Sequence, residues 1–347
     1  MKTCFRRWVL FAAIAYPTTL LAVVLAFRFV GERWWFTGAA LYLPRVGFAV
    51  PLPLVVIALV RYRMRLLLLA QLAAGGLVLF PLMGLVLPSA RSPTGSGPTM
   101  RVLSLNANSG YSGIPALLEA VDHYSPDLVV MQEIAIGADD PLIRALQARY
   151  ATVNATGQFV VASRFPLSSI QEPNRFLYGN QMHSPRYMRY VGETPVGRVA
   201  IYNIHPVSPR QGFYRIRGAG LRNEIASGRL FEGAAGPDVQ ANSGLRKGEL
   251  DVVAKSTRAE TLPVLIVGDT NLPGLSPLLA QFEDTYQDGF REVGWGFGYT
   301  FPSKLPWMRI DRMFANSALR FEHFEVGCAE TSDHLCIVAD VSARPSR

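Results

Sequence analysis

The chain is short of charged residues and of cysteine. Of its 347 residues, 17% are charged and 50% are hydrophobic, a balance that excludes a disordered chain, because disorder requires low hydrophobicity and high net charge. The three cysteines, Cys4, Cys328 and Cys336, do not have the spacing of a metal site. Either a disulfide between Cys328 and Cys336 or two free thiols fits the sequence.

Acidic residues are nearly absent from the first 98 residues. This segment has ten Lys and Arg residues and one acidic residue, Glu32, so its net charge is +9. The remaining 249 residues contain 24 of the 34 basic and 25 of the 26 acidic residues, a net charge of −1. The overall charge of +8 is therefore concentrated in one segment. This excludes a protein that is basic throughout and binds nucleic acid by charge alone.

Three long apolar stretches occupy this basic segment. Their uncharged parts are 20, 15 and 22 residues long, and a helix needs about 20 residues to cross the apolar layer of a membrane. We therefore predict three membrane helices near residues 8–29, 41–60 and 66–88; the second spans only if the residues before Arg45 contribute. A cleaved signal peptide is the alternative for the first stretch, but no clear cleavage site follows it.

Basic residues predict the orientation of these helices, because Lys and Arg are enriched on the cytoplasmic side. With the N-terminus in the cytoplasm, six basic residues lie inside and four outside. The inside residues are Lys2, Arg6, Arg7, Arg61, Arg63 and Arg65, and the outside residues are Arg28, Arg33, Arg45 and Arg91. This bias predicts a multi-pass membrane protein whose larger, C-terminal part lies outside the cytoplasm.

A segment rich in Gly, Ser and Pro over residues 89–99 predicts a flexible linker, since these residues offer little to bury. It leads into one domain, residues 100–347, in which short apolar strands alternate with helices, a pattern typical of an α/β fold. The predicted strands lie near residues 101–105, 128–131, 159–162, 199–204, 262–267, 310–314 and 335–341, and the predicted helices near 114–123 and 245–257. Residues 208–243 fit neither pattern.

Most of the predicted strands are followed by a carboxylate, an amide or an imidazole. The motifs are Leu105-Asn106, Gln132-Glu133, Asn203-Ile204-His205, Gly268-Asp269-Thr270-Asn271, Arg309-Ile310-Asp311 and Ser332-Asp333-His334. If the strand ends meet at one rim, their oxygen ligands favour Mg²⁺ or Mn²⁺ over zinc. A divalent metal and fixed donors suit hydrolysis at phosphorus. Taken singly, such residues are more often turn or cap residues.

These six motifs, in this order, resemble the endonuclease/exonuclease/phosphatase superfamily. The resemblance covers residues 100–341 and implies a four-layer α/β sandwich, in which helices flank two packed β-sheets. It implies that Glu133, Asn106 and Asp333 hold the metal. It also implies the following catalytic roles: Asp269 activates water, Asn271 holds the scissile phosphate, His205 and His334 stabilise the phosphate or the leaving group, and Asp311 orients His334.

Further residues are predicted to contact the substrate. Asn108 stands where many members of the superfamily have Asp, which leaves the number of metal ions open. Arg210 and Arg215 lie in an arginine-rich stretch that suits a pyrophosphate, although a solvated loop is the alternative. Trp295 and Trp307 suit a lipid chain or the membrane interface, and core aromatic residues are the alternative.

A closer resemblance, to the VanJ-type teicoplanin-resistance phosphatases, rests on the apolar N-terminal stretches and on residues 294–302. It implies a bacterial cytoplasmic membrane protein that hydrolyses undecaprenyl pyrophosphate to the monophosphate at the extracytoplasmic face. The membrane region and the nearly neutral domain also favour a lipid-linked phosphate over nucleic acid. The alternatives are a membrane-tethered, Mg²⁺-dependent nuclease, a sphingomyelinase-like phosphodiesterase and a sensor that has lost catalysis.

Overall fold

The computed structural model describes residues 2–88, 97–110, 113–134, 140–229, 233 and 235–344. Its α-helices are α1 (Lys2–Leu25), α2 (Trp35–Ala40), α3 (Pro51–Arg61), α4 (Leu68–Leu77), α5 (Ile114–Tyr124), α6 (Pro141–Gln147), α7 (Gly218–Ala226), α8 (Ala235–Arg258), α9 (Ala280–Glu283) and α10 (Gly289–Val293). π-Helical segments, Ala26–Val30 and Val78–Leu82, continue α1 and α4.

The strands are short and lie almost entirely beyond residue 97. They are β1 (Thr99–Asn106), β2 (Leu128–Gln132), β3 (Thr152–Thr156), β4 (Phe159–Ser163), β5 (Leu167–Gln171), β6 (Phe176–Tyr178), β7 (Gln181–His183), β8 (Tyr187–Thr194), β9 (Gly197–Ile204), β10 (Val264–Asp269), β11 (Gln287–Asp288), β12 (Asp311–Ala315), β13 (Leu319–Gly327) and β14 (Cys336–Ala343). One six-stranded sheet has the order β13-β14-β1-β2-β4-β3, a second has the order β11-β12-β10-β9-β8-β5, and β6 and β7 form a separate two-stranded sheet.

The two sheets pack face to face and bury an apolar core between them, to which both contribute side chains such as Val130 and Val267. The outer face of the first sheet is covered by α5 and α6, and that of the second by α8. In α8, Leu250, Val253 and Ala254 recur at helical spacing and are buried. The result is the four-layer α/β sandwich that the sequence predicts.

The N-terminal helices pack on one another through small apolar clusters but leave many large side chains exposed. By length and composition, two helical segments are able to cross a membrane, Cys4–Arg33 and Arg65–Leu82. The middle predicted span, residues 41–60, contains instead a 3₁₀ segment, Arg45–Ala49, and the 11-residue helix α3.

The N-terminal region is joined to the sandwich by hydrogen bonds from two segments, residues 32–45 between α1 and α3 and Val86 after α4. These bonds include Ser276 Oγ to Glu32 Oε1 (2.6 Å), Arg45 Nη2 to the Gly274 carbonyl (2.6 Å), Tyr42 Oη to the Asn271 carbonyl (2.8 Å), Trp307 Nε1 to the Tyr42 carbonyl (3.3 Å) and a reciprocal backbone pair between Val86 and Gly296 (2.8 and 2.9 Å). Most of the predicted linker, residues 89–96, lies outside the described residues, as does Arg91.

The seven predicted strands and two helices are all present, with ends that differ by a few residues; α8 begins ten residues earlier than predicted. The strands not predicted from the sequence are β3, β5, β6, β7, β8, β11 and β13, which are very short or have apolar residues interrupted by polar ones. The stretch over residues 208–243 contains a 3₁₀ turn, α7 and the start of α8. A disulfide joins Cys328 to Cys336, and Cys4 is a free, exposed thiol.

Candidate active site

The polar residues of the six motifs meet at one rim of the sandwich because of the strand directions. β1 and β2 are parallel, as are β9 and β10, so their carboxyl ends lie at the same rim. Asn106 and Asp269 are the last residues of β1 and β10, and Glu133 and His205 directly follow β2 and β9. The antiparallel strands β12 and β14 begin at this rim, which places Asp311 and His334 there.

Buried amides connect the two sheets beneath this rim. Gln132 Nε2 donates to Asn203 Oδ1 at 2.8 Å, and Asn203 Nδ2 donates to the Met131 carbonyl at 3.0 Å. Gly268 comes just before Asp269 and has a φ of +139°, where a Cβ would collide with the Ile204 carbonyl oxygen. The glycine therefore allows β10 to approach β9 closely and sets the direction of Asp269.

Asp269 lies at the centre of the site and is almost fully buried. Its Oδ1 accepts from the backbone N–H of Asn271 at 2.7 Å, and its Oδ2 accepts from Asn106 Nδ2 at 3.1 Å. Burial, together with the nearby charge of Asp311, raises the pKa of Asp269. The carboxylate is thus fixed in orientation and is more basic than an ordinary aspartate.

His205 connects Glu133 with Asp269. Its Nε2 lies 3.2 Å from Glu133 Oε1 and 3.6 Å from Asp269 Oδ2, while its Nδ1 lies 2.7 Å from Gln158 Oε1. The hydrogen bond with His205 lowers the pKa of Glu133 to about 2, against the effect of burial. Glu133 therefore remains an anionic oxygen ligand at neutral pH.

His334 forms a second buried pair with Asp311, at 2.9 Å between Nδ1 and Oδ2. Burial lowers the pKa of an imidazole, but the carboxylates of Asp311 and Asp269 outweigh it and raise the pKa of His334 to about 9. Nε2 of His334 is 3.8 Å from Asp269 Oδ2, and the Phe301 ring lies 4.7 Å from the imidazole. A protonated Nε2 held in this way is suited to an anionic oxygen of a substrate.

The donors present fit a divalent cation. Ligand atoms of Asp269, Asp311 and His334 lie within 4.8 Å of one another, and Asp311 Oδ1 is buried without a hydrogen-bond partner among the described residues. A protonated His334 is a poor metal ligand, because its lone pairs are occupied. Carboxylate and amide oxygens are therefore the better ligands here, and they favour Mg²⁺ or Mn²⁺.

A cleft with an open volume of about 40 Å³ lies above these groups. Its walls include Glu133, Asp269, Asn271 and His334, and its rim includes Arg210. Arg210 Nη2 pairs with Asp333 Oδ2 at 2.6 Å, and the Arg210 guanidinium stands 5.6 Å from the centre of the Phe301 ring. The cleft therefore has acidic and imidazole groups at its base and a partly exposed guanidinium at its mouth.

The structure does not bring all predicted site residues into this cleft. Asp333 is paired with Arg210 and does not line the cleft. Asn108 lies in a turn, where its backbone N–H donates to Asn106 Oδ1 at 3.1 Å. Arg215 lies elsewhere, where it pairs with Asp238 and Glu224. Trp295 is 74% exposed, and Trp307 lines a different cavity.

Two residues of the site were not found from the sequence. Gln158 lies in the turn between β3 and β4. It was not predicted because it does not follow one of the predicted strands. Tyr42 belongs to the segment between α2 and α3, yet it lines the cleft, and its hydroxyl also accepts a hydrogen bond from Arg246 Nη1 at 3.1 Å. Tyr42 was missed because it lies in a stretch predicted to be a membrane helix.

The fold and the groups at this rim are of the type found in phosphoester hydrolases. The family model described as the Endonuclease/Exonuclease/phosphatase family matches residues 103–334, and the chain belongs to this family, whose members hydrolyse phosphoester bonds. No curated protein sequence matches the chain.

Solved structures that the chain is similar to share little sequence identity with it. The 3′ phosphatase NExo from Neisseria, bound to a product DNA hairpin, is 15% identical, with a TM-score of 0.50 over 69% of this chain and 98% of that one. Truncated TDP2 from Caenorhabditis elegans is 17% identical, with a TM-score of 0.49 over 71% and 98%. An endonuclease/exonuclease/phosphatase from Beutenbergia cavernae is 17% identical, with a TM-score of 0.47 over 71% and 72%.

Proposed function

We propose that the protein is a membrane-anchored, Mg²⁺-dependent phosphohydrolase that converts undecaprenyl pyrophosphate to the monophosphate at the extracytoplasmic face of a bacterial cytoplasmic membrane. The observation that carries this proposal is the position of Tyr42, which follows the first apolar helix in sequence and lines the catalytic cleft. The cleft therefore opens beside the ends of the apolar helices. A pyrophosphate carried by a membrane lipid would arrive at this place.

The exposed apolar side chains of the helices support the membrane part of the proposal. Large residues such as Phe11, Leu54 and Leu72 face outward. In a protein surrounded by water, side chains of this type are normally buried in the interior. In the proposed topology, residues 1–88 form the membrane region, residues 89–99 the linker and residues 100–347 the catalytic domain. The resemblance to the VanJ-type phosphatases supports the choice of lipid.

The proposed reaction is attack of water on the terminal phosphorus. The water oxygen bonds to phosphorus and gives its proton to Asp269, whose orientation Asn106 and the Asn271 N–H fix. The bridging P–O bond breaks, and its electron pair remains on the lipid monophosphate, so that inorganic phosphate is the second product. His334, held by Asp311, donates from Nε2 to a phosphate oxygen, and His205 stands beside the leaving oxygen.

Mg²⁺, or Mn²⁺, would be held by Glu133 together with Asn106, as the family resemblance implies, and when bound it supplies charge neutralisation for the oxygens of the pyrophosphate. Asp333, the third predicted ligand, pairs with Arg210 and does not line the cleft, so we leave it out of the proposed metal site. Arg210 binds the pyrophosphate at the mouth of the cleft, where a guanidinium suits two phosphate oxygens.

The test is release of phosphate by the detergent-solubilised full chain, with Mg²⁺ or with EDTA. The substrates are undecaprenyl pyrophosphate, single- and double-stranded DNA and a sphingomyelin analogue, and Asp269→Ala serves as the blank. We expect metal-dependent release from undecaprenyl pyrophosphate. Cleavage of DNA alone would replace the proposal with a membrane-tethered nuclease, and cleavage of the sphingomyelin analogue alone would replace it with a phosphodiesterase.

A further inference from the structure

A second cavity, which we call the junction cavity, lies where the N-terminal helices meet the sandwich. It has a volume of about 520 Å³. Its lining combines residues 80–86, from the π-helical segment after α4 and the turn that follows it, with sandwich residues such as Tyr299 and Trp307. Met308 lines both this cavity and the catalytic cleft. Asp269 and His334 do not line the junction cavity, so a ligand in it would be held away from the groups proposed for hydrolysis.

The charge of the junction cavity is strongly positive. Five arginines line it, and two carboxylates offset them: Glu283 pairs with Arg28 (3.5 Å) and Arg291 (3.0 Å), and Asp288, behind the lining, pairs with Arg309 (2.7 Å) and Arg312 (3.0 Å). Each carboxylate is shared by two guanidinium groups, which leaves one positive charge in each set.

The fifth arginine, Arg45, adds a further positive charge. It is buried, and its guanidinium donates to the carbonyl oxygens of Leu82 (2.9 Å), Leu41 (3.1 Å) and Gly274 (2.6 Å). Among the described residues it forms no ion pair with a carboxylate. Part of this positive charge is buried, at Arg45 and Arg312, and buried positive charge is costly unless an anion offsets it.

The position of the cavity indicates which anion this is. Arg28 lies in the π-helical end of the first apolar helix, and Phe80 lies in the corresponding end of the third. Phe29, next to Arg28, and Phe80 itself are exposed. Apolar surface therefore reaches the mouth of the cavity. A basic pocket at the ends of apolar helices suits the phosphate headgroup of a lipid whose acyl chains lie along those helices.

We propose that the junction cavity binds the phosphate headgroup of an anionic membrane lipid, separately from the substrate in the catalytic cleft. The inference rests on the membrane placement in the proposed function, but not on the reaction. The lipid would join the membrane region to the sandwich, because the arginines that bind it belong to both.

The test measures lipid retention by native mass spectrometry of the full chain in detergent, mixed with equal amounts of dioleoyl phosphatidic acid and dioleoyl phosphatidylcholine. The variant Arg28→Gln/Arg291→Gln removes the two most exposed arginines of the cavity and leaves buried Arg45 in place. The matched control is Arg149→Gln, which breaks an exposed ion pair with Asp122 on the outer face of the sandwich.

We expect the wild type and the control to prefer phosphatidic acid, and the double variant to lose about fivefold of this preference for each arginine removed. Equal retention of the two lipids by the wild type, or an unchanged preference in the double variant, would overturn the inference. Loss of bound phosphatidic acid on addition of equimolar inorganic phosphate would also overturn it, by assigning the cavity to the free anion.

The same measurement on Asp269→Ala separates this inference from the proposed function. Preference for phosphatidic acid in this variant, together with no release of phosphate from undecaprenyl pyrophosphate by the wild type, would leave the lipid site standing and remove the proposed reaction. Hydrolysis without any lipid preference would do the reverse.

Discussion

The N-terminal helices and the sandwich use apolar residues in opposite ways. In the helices, Trp8 is 66% and Leu72 is 75% exposed, whereas every residue of β10 is buried. The sandwich also encloses charged groups, among them Asp269, Asp288 and Asp311. The sandwich supplies its own apolar interior, in which polar groups are strengthened and their pKa values shift. The helices require an apolar surrounding, which we propose is a membrane.

The largest effect that this contrast predicts is the loss of catalysis when a buried carboxylate of the sandwich is removed. Asp269→Ala should lower phosphate release by about 10³-fold or more, because a positioned general base contributes about 10² to 10⁴ and two hydrogen bonds to Asp269 are lost as well. Phosphate release is measured on the full chain. Asp251→Ala, which removes an exposed carboxylate paired with Lys247, is the control. Full activity in Asp269→Ala would mean that the site lies elsewhere.

Buried charge should also matter for stability in the sandwich. Asp288 pairs with Arg309 and Arg312 and accepts from the first backbone N–H groups of α10. Asp288→Ala leaves two buried guanidinium groups without their carboxylate, so we expect a loss of about 3 to 5 kcal/mol. Thermal unfolding of the solubilised chain measures this loss. Asp122→Ala, at an exposed pair, should change little, and equal effects of the two variants would contradict the argument.

The same carboxylate predicts how stability depends on pH. Burial raises the pKa of a carboxyl group, but Arg309 and Arg312 outweigh it and hold the pKa of Asp288 well below its usual value. A carboxyl group whose pKa is lower in the folded than in the unfolded state stabilises the protein at pH values above its unfolded pKa, about 3.9. This stabilisation is lost as the pH falls toward the lower pKa of the folded state. Wild type and Asp288→Asn should therefore differ in Tm at pH 7, and by less at pH 3. A constant difference would show that Asp288 does not act through its charge.

Much of the fold and of the catalytic rim could be predicted from the sequence, because both depend on local patterns. Apolar runs such as residues 128–131 and 262–267 indicate buried strands, and the polar residue after each run indicates the rim. The strands β5 and β8 pair on the side of the second sheet remote from β11, where polar and apolar residues mix. Their sequences therefore lack the clear apolar run or the regular alternation of apolar and polar residues that would predict a strand.

The remainder could not be predicted, because it depends on contacts across the whole chain. Tyr42 and Asn271 are separated by 229 residues, and nothing near Tyr42 in the sequence indicates a catalytic cleft. Arg215 has the residue type expected of a phosphate ligand, but local acids, Asp238 and Glu224, pair with it. Tertiary pairing thus decides which arginine reaches the cleft.

The smallest of these effects tests the boundary between the two regions. Tyr42 is the residue through which the helical region enters the catalytic cleft, and its hydroxyl donates to the Asn271 carbonyl and accepts from Arg246. Tyr42→Phe leaves Arg246 with one acceptor fewer and Asn271, at a φ of +51°, less firmly held. A hydrogen bond of this kind contributes about 1 to 2 kcal/mol, so kcat should fall about 5- to 30-fold. The matched control is Tyr16→Phe, whose hydroxyl donates to the Phe48 carbonyl within the helical region. A selective loss of activity in Tyr42→Phe, with a Tm no lower than that of Tyr16→Phe, means that the helices help to build the site. Equal rates in both variants would mean that the helical region only anchors the protein.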